Sequence, residues 1–321
     1  MVRVHSKALN KTLDIERLIG KYTNNTPGPT VICVGGIHGN EPSGIFALKE
    51  VLKELQRIEL QFKGELIAFA GNLTALSRGV RFVDEDLNRI WLPERIETLK
   101  SVTPSSRKET VESMEQRELL RVLTRAFDDT KCPVYVLALH TTSSVSAPFI
   151  TLGEVLRNRD FILNFPVPTI KGIEKYVQGT LLSYISELGF IDIGFEAGQH
   201  DALSSIKNSV AAIWIALANA GCVNPDDFSD FDEHYETLTN SAKNVQGVYE
   251  VIYRYGIEEG EDFVMEPGFI NFQEIEKGQV LARNRNGKIH ALEDGRIFMP
   301  LYQKQGRDGF FIVLEINPEL A

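Results

Sequence analysis

The chain has 321 residues, a length typical of proteins with about two domains. Of these residues 43% are hydrophobic and 24% are charged, a composition typical of globular proteins. A formal net charge of −10 argues against a nucleic-acid partner, which requires concentrated Lys and Arg. The three cysteines, Cys33, Cys132 and Cys222, are odd in number and far apart, which excludes a disulfide framework or a paired-cysteine metal site.

No apolar run reaches the roughly 18–20 residues that a bilayer-spanning helix needs, and the N-terminus lacks the apolar core of a secretory signal. We therefore expect a cytoplasmic protein that has no membrane association.

Short apolar runs alternate with helical patterns through the first two thirds of the chain. Buried strands are predicted over residues 31–36, 65–72, 134–139 and 190–196. Helical spacing of apolar residues follows the first of these strands, and an apolar helix is predicted over residues 203–220. This alternation predicts an α/β fold with a mostly parallel or mixed central sheet flanked by helices.

The sequence changes character after Gly221. Residues 224–234 are acidic and polar and are interpreted as a linker. From residue 248 the pattern favours β-strands, with turn signals at Asn286-Gly287 and Asp294-Gly295. We therefore predict an α/β domain over residues 1–222, then a linker and a smaller β-rich domain over residues 223–321.

Two histidines and a glutamate follow the ends of predicted strands. His38 and Glu41 lie in the segment VGGIHGNEPSG, and His140 follows the strand over residues 134–139. The carboxyl ends of parallel strands meet at one edge of a sheet, so these side chains could meet there. Two imidazoles and one carboxylate form a known catalytic zinc set, in which the metal lowers the pKa of a bound water towards 7.

A polar stretch, SRGVRFVDEDLNRIW, covers residues 77–91. A guanidinium from Arg81 or Arg89, with Asn88 beside it, suits the binding of a substrate carboxylate. The adjacent acidic residues 84–86 leave a second interpretation open, namely a solvated loop of ion pairs.

Glu196 ends an apolar strand in the segment GFEAGQH. Partial burial there would raise the pKa of this carboxyl group into a range useful for proton transfer. A carboxylate at a sheet edge or a helix cap is the alternative. His200 lies nearby without further support, and His5, His234 and His290 are interpreted as surface residues.

Four motifs in this order, VGGIHGNEPSG, RFVDEDLNRIW, LHTTSS and GFEAG, resemble the aspartoacylase/succinylglutamate desuccinylase family of the zinc carboxypeptidase-like superfamily. The resemblance spans roughly residues 31–198 and continues more weakly into the β-rich region. It implies a zinc carboxypeptidase-like fold and one Zn²⁺ per chain, held by His38, Glu41 and His140. The activity it implies is amide hydrolysis of an N-acylated amino acid.

The resemblance also implies roles for residues around the metal. Arg81 would polarise the scissile carbonyl and stabilise the oxyanion, while Asn88 and Arg89 would hold a substrate carboxylate. Glu196 would take a proton from the water and pass it to the leaving amine. Tyr302, in RIFMPLYQKQ, resembles a tyrosine that contacts substrate.

Three positions depart from the family pattern. Ala138 replaces an aspartate that commonly precedes the second histidine by two residues, so the group that orients His140 is in question. Residues 180–190 contain no Arg or Lys for a side-chain carboxylate of the substrate, and Gln305 stands where a lysine is expected. Together these departures argue against N-acetylaspartate and favour a neutral or differently shaped N-acyl amine.

A zinc-dependent deacylase acting on a small molecule is the leading hypothesis. A carboxypeptidase-like peptidase or amidase on the same scaffold is the second, although a β-rich region that narrows the cleft would exclude peptides. A non-catalytic binding protein is the third, and it conflicts with the presence of all the proposed ligands together with Arg81 and Glu196. The sequence leaves a homo-oligomer open.

Overall fold

The protein, described here from a computed structural model, is an α/β structure whose centre is an 11-stranded mixed sheet. The structure describes residues 1–101, 109–130, 132–153, 158–162 and 164–317. Its strands are β1 (Val2–Ser6), β2 (Lys11–Ile15), β3 (Leu18–Thr23), β4 (Thr30–Gly35), β5 (Glu65–Ala70), β6 (Val134–Thr142), β7 (Phe149–Thr151), β8 (Thr169–Lys171), β9 (Ile191–Gln199), β10 (Val248–Gly256), β11 (Val264–Met265), β12 (Glu274–Ile275), β13 (Val280–Asn284), β14 (Gly287–His290), β15 (Gly295–Phe298) and β16 (Asp308–Ile316).

Its helices are α1 (Ser43–Arg57), α2 (Leu73–Arg78), α3 (Pro93–Ser101), α4 (Val111–Asp128), α5 (Arg159–Ile162), α6 (Leu181–Glu187), α7 (Leu203–Asn219) and α8 (Phe231–Ala242). None of the helices in the described part of the chain is long and apolar enough to cross a membrane.

The middle of the sheet consists of parallel strands, with β5, β4, β6 and β9 side by side. All six residues of β4 are buried, and successive side chains point to opposite faces. Val31 and Cys33 join the core that contains α1 and α7, whereas Ile32 and Val34 join the core that contains α4 and α6. Helices thus cover both faces, and the fold class predicted from the sequence is present.

Two of the predicted strands are longer than expected. β6 continues to Thr142, so His140 lies within its strand rather than after it. β9 continues to Gln199, so Glu196 lies inside its strand rather than at the end. The two residues are direct neighbours in the parallel pairing of β6 with β9. This register brings them together at the carboxyl edge of the sheet.

The C-terminal strands extend the same sheet. β10 pairs in parallel with β8 and antiparallel with β16, and β15 and β12 follow outwards. The segment interpreted as a linker, residues 224–234, overlaps the first turn of α8, a helix that buries Leu238 and Ala242, so that interpretation was wrong for residues 231–234. The boundary after residue 222 stays a prediction.

Candidate active site

A buried cluster at the carboxyl edge of the sheet is formed by His38, Glu41 and His140. Nδ1 of His38 lies 2.9 Å from Oε1 of Glu41, and Nδ1 of His140 lies 3.2 Å from Oε2. All three side chains are at most 9% exposed. One potential ligand atom from each residue lies within 4.8 Å of the others, which is the arrangement that a single cation requires.

The turn between β4 and α1 places the first two members of this cluster. Gly36 has a φ of 68°, in the left-handed region that glycine adopts without strain. A Cβ on Gly39 would overlap the backbone of Ala75 at α2. Glycine at both positions therefore lets the turn pass close to α2 and present His38 and Glu41 to the cavity, as the sequence predicted.

Arg81 and Asp86 form the next layer, on the segment after α2 that we call the arginine loop (residues 79–86). Oδ1 of Asp86 lies 3.1 Å from Nε2 of His38, which leaves the Nδ1 of this ring facing Glu41. Nη2 of Arg81 lies 2.9 Å from Oδ2 of Asp86, and its Nη1 lies 3.6 Å from Oε1 of Glu41. Asp86 therefore orients both the imidazole and the guanidinium.

The neighbouring positive charges determine the protonation state of the two carboxyl groups at the cluster, those of Asp86 and Glu41. Burial raises the pKa of Asp86, but the charges of Arg81 and His38 outweigh it and hold the pKa well below its usual range. Burial likewise raises the pKa of Glu41, and His38 and His140 reverse the effect, so its pKa also lies well below the usual range. Both carboxyl groups are thus ionised, the form needed to hold a cation.

The arginine loop is held from behind by Glu112 of α4, which is fully buried. Its carboxylate accepts hydrogen bonds from the backbone N–H groups of Val83, Asp84 and Glu85, at 2.7, 3.0 and 3.2 Å. It also accepts one from the side chain of Asn72 at 3.0 Å. One carboxylate thereby fixes the backbone that carries Arg81 and Asp86.

Glu196 lies on β9 beside His140 and lines the same cavity. Burial raises the pKa of its carboxyl group to about 8, with the neighbouring charge of Glu41 adding to the effect. Its Oε2 atom is buried and has no hydrogen-bond partner among the described residues. An unsatisfied buried carboxyl oxygen aimed into a cavity is a group available to a substrate or a water.

Asn88 and Arg89 also line the cavity, but both are engaged by the protein itself. Oδ1 of Asn88 accepts a hydrogen bond from the backbone N–H of Leu181 at 2.9 Å, which positions the start of α6. Nη2 of Arg89 lies 2.6 Å from Oδ2 of Asp308, the first residue of β16.

The cavity has a volume of about 330 Å³ and is closed on one side by the loop between β15 and β16 (residues 299–307), from which Met299, Leu301 and Gln303 contribute to the wall. Tyr302 does not line it: its hydroxyl donates to the backbone carbonyl of Glu266 at 2.6 Å and points back into the C-terminal region. The structure therefore does not bring Tyr302 to the other predicted site residues.

The structure shows contacts of three further side chains, and one of them, His200, lines the cavity. His200 was given no role, yet its Nδ1 lies 2.7 Å from Oγ1 of Thr141 and its Nε2 lies 3.2 Å from Oε1 of Gln303. Gln305 accepts from the backbone N–H of Arg81 at 3.0 Å and donates to the carbonyl of Phe82 at 2.9 Å. His234, interpreted as a surface residue, is half-buried and stacks on a tryptophan.

The donor set fits a zinc ion. Imidazole nitrogens and a carboxylate are typical zinc ligands, and the carboxylate of Asp86 on the far nitrogen of His38 is the usual outer partner. His140 lacks the aspartate that Ala138 replaces, and Ala138 is buried within β6. The carboxyl group beside His140 on the adjacent strand is that of Glu196.

Known proteins resemble this chain in sequence. A sequence profile of the succinylglutamate desuccinylase/aspartoacylase catalytic domain matches residues 27–160. A succinylglutamate desuccinylase from Pseudomonas fluorescens is 36% identical over 64 residues, 20% of this chain and 19% of that protein. The chain thus aligns with about a fifth of the length of that relative. An N-acyl-aromatic-L-amino acid amidohydrolase (carboxylate-forming) from Xenopus tropicalis is 23% identical over 244 residues, 72% of each protein.

Solved structures share the fold. A succinylglutamate desuccinylase/aspartoacylase from Rhodobacter sphaeroides superposes with a TM-score of 0.64 at 16% identity, covering 91% of this chain and 87% of that one. A product-bound ectoine utilization protein from Ruegeria pomeroyi gives a TM-score of 0.63 at 18% identity, covering 91% and 86%. The fold and the family resemblance that the four motifs predicted are confirmed.

Proposed function

We propose that the protein is a zinc-dependent deacylase of small N-acyl amino acids or related N-acyl amines, because the profile of the succinylglutamate desuccinylase/aspartoacylase catalytic domain matches residues 27–160. The observation that carries this proposal is the juxtaposition of two imidazoles and a carboxylate with Glu196, whose buried Oε2 has no partner among the described residues. The names of the relatives, a desuccinylase and an amidohydrolase, describe the same type of reaction.

His38, Glu41 and His140 would hold the metal. When bound, Zn²⁺ polarises a carbonyl and lowers the pKa of a coordinated water towards 7. Asp86 keeps the Nδ1 of His38 directed at the site through its contact with Nε2. The backbone N–H of Thr141 donates to Oε2 of Glu41 at 3.0 Å and fixes the orientation of this carboxylate.

Glu196 is the proton carrier in this proposal. With a pKa of about 8, its carboxyl group can hold a proton or release it near neutral pH, which is the property of an effective general acid–base group. The guanidinium of Arg81 is a fixed positive charge at the same cavity, suited to the negative charge that develops on the carbonyl oxygen of an amide under attack. Asp86 holds this guanidinium in place, so little reorganisation accompanies the reaction.

The enclosed volume of about 330 Å³ favours a small substrate over a peptide. We therefore extend the proposal to a small-molecule partner. The net charge of −10 supports a proposal without a nucleic-acid partner, whereas the absence of a membrane partner and the cytoplasmic location stay predictions from the sequence. The β15–β16 loop narrows the cavity and is the physical reason for preferring a deacylase to a peptidase.

Zinc content and hydrolysis together test the proposal. The wild-type protein, His38→Ala and Glu196→Gln are purified in parallel, analysed for metal, and assayed against N-acyl amino acids and N-acyl amines. We expect near-stoichiometric zinc in wild type and Glu196→Gln, loss of zinc in His38→Ala, and hydrolysis by wild type alone. A zinc-loaded wild type without any amide hydrolysis, or a Glu196→Gln variant as active as wild type, contradicts the proposal.

A further inference from the structure

The guanidinium predicted to hold a substrate carboxylate already holds a carboxylate of the protein. Oδ2 of Asp308 lies 2.6 Å from Nη2 of Arg89, and Oδ1 of the same group lies 2.6 Å from Nε of Arg254 on β10. The Asp308 side chain is 15% exposed and lines the cavity. A half-buried carboxylate that accepts hydrogen bonds from two guanidiniums is a charge-assisted, oriented contact.

Asp308 stays charged in this position. Burial raises the pKa of its carboxyl group, but Arg89 and Arg254 outweigh that effect and lower the pKa below its ordinary value. The other guanidinium on the cavity wall, that of Arg81, is paired with Asp86 and Glu41. Among the described lining residues, every Arg or Lys therefore already has a carboxylate partner.

A substrate carboxylate entering this end of the cavity would meet the Asp308 carboxylate at the same guanidinium. Like charges at such a contact repel, and the repulsion is weakly screened where water is excluded. The cavity wall also includes the apolar residues Leu182, Val177 and Phe311, and Phe311 lies opposite Arg254 in the pairing of β10 with β16. The site is thus suited to an uncharged, apolar group on the nitrogen side of the amide.

We propose that Asp308 is a specificity-determining residue that occupies the carboxylate position at Arg89, so that the substrate is a small N-acyl amine without a carboxylate next to its nitrogen. This inference rests on the proposed deacylase function and narrows its substrate class.

A matched pair of ligands tests it by binding, which needs no turnover. N-acetyl-L-leucinamide and N-acetyl-L-leucine differ only in an amide against a carboxylate. Both are titrated calorimetrically into zinc-loaded Glu196→Gln protein, in which hydrolysis is suppressed, and into the same protein with Asp308→Asn, Asp308→Glu or Glu315→Gln. Glu315 is an exposed residue on the same strand and controls for the loss of one negative charge.

We expect the parent protein to bind the amide at least about tenfold more tightly than the acid, because a like-charge contact costs that much or more. Asp308→Asn should shift this ratio at least about tenfold towards the acid. Asp308→Glu, which keeps the charge, and Glu315→Gln should leave the ratio unchanged.

Equal binding of both ligands by the parent, no binding of either, or an unchanged ratio in Asp308→Asn would overturn the inference. A wild type that hydrolyses N-acetyl-L-leucine in preference to its amide would overturn the inference while supporting the deacylase function. If Asp308→Asn shifts the binding ratio as expected but the wild type hydrolyses neither ligand, the inference about Asp308 holds and the proposed deacylase reaction is wrong.

Discussion

The substitution Glu112→Gln tests whether one buried carboxylate determines the conformation of the arginine loop. Oε1 of Glu112 accepts from the N–H of Val83 and from Asn72, and Oε2 accepts from the N–H groups of Asp84 and Glu85. A glutamine retains one carbonyl oxygen and places an NH₂ group at the other position. At either position, two of the four hydrogen-bond donors then face a donor instead of an acceptor.

The expected cost follows from those two lost hydrogen bonds. Leaving a buried donor unsatisfied costs about 1–3 kcal/mol, and a hydrogen bond to a charged acceptor is worth about 1.5–3 kcal/mol. Partial relaxation of the loop relieves some of this, so we expect the free energy of unfolding to fall by about 2–4 kcal/mol. Because the same backbone carries Arg81 and Asp86, zinc affinity and hydrolysis should fall together with stability.

Urea unfolding followed by circular dichroism measures the loss, with Glu118→Gln as the matched control on the same helix. Glu118 has a side chain that is 61% exposed and contacts Arg17 at 3.2 Å, so its substitution should cost less than about 1 kcal/mol. A Glu112→Gln protein that is as stable as Glu118→Gln would refute the assigned role of Glu112.

Three further results are expected. Gly39→Ala should lower stability and zinc content, since its Cβ would overlap the backbone of Ala75; a thermal melt with metal analysis measures both. Added zinc should raise the melting temperature of wild type in proportion to the logarithm of its concentration and leave His140→Ala unaffected; an equal rise in both would contradict the ligand assignment. Burial against Trp214 lowers the pKa of His234 from 6.5 to about 4, so the folded protein keeps this ring neutral while the unfolded chain protonates it. The free energy of unfolding is therefore unaffected by this ring above pH 6.5 and falls as the pH is lowered from 6.5 towards 4. In His234→Phe, urea titrations should show a fall over this pH range that is smaller by about 2 kcal/mol than in wild type. An unchanged dependence of stability on pH in the variant would contradict this prediction.

Local patterns were sufficient for the four central parallel strands and for the candidate metal ligands, but not for β3, β7 and β8. Four buried runs are apolar enough to be identified alone, and strand ends at one edge bring His38, Glu41 and His140 together whatever the length of chain between them. The helical residues 231–242 were missed because an acidic, polar surface dominates that segment and only Leu238 and Ala242 are buried.

Pairing between distant charges could not be read from local sequence. The acidic residues beside Arg81 indicated a solvated loop, whereas Asp86 turns inwards to His38. The partner of Arg89 is Asp308, 219 positions later in the chain, and no local pattern marks that contact. Tyr302 matched a motif, but the direction of a loop side chain depends on backbone geometry that a motif does not specify.

The parallel pairing of β8 with β10 has a consequence for how the cavity can open. Three residue pairs, from Val248 with Thr169 to Glu250 with Lys171, join the C-terminal strands to the rest of the sheet through backbone hydrogen bonds. A hinge between the two halves would have to break this ladder, which makes rigid-body opening expensive. Entry and exit of ligands are therefore expected to depend on local displacement of the β15–β16 loop. This loop contacts its neighbours mainly through side chains, with Gln305 bonded to the arginine loop and Gln303 to Asn40 and His200.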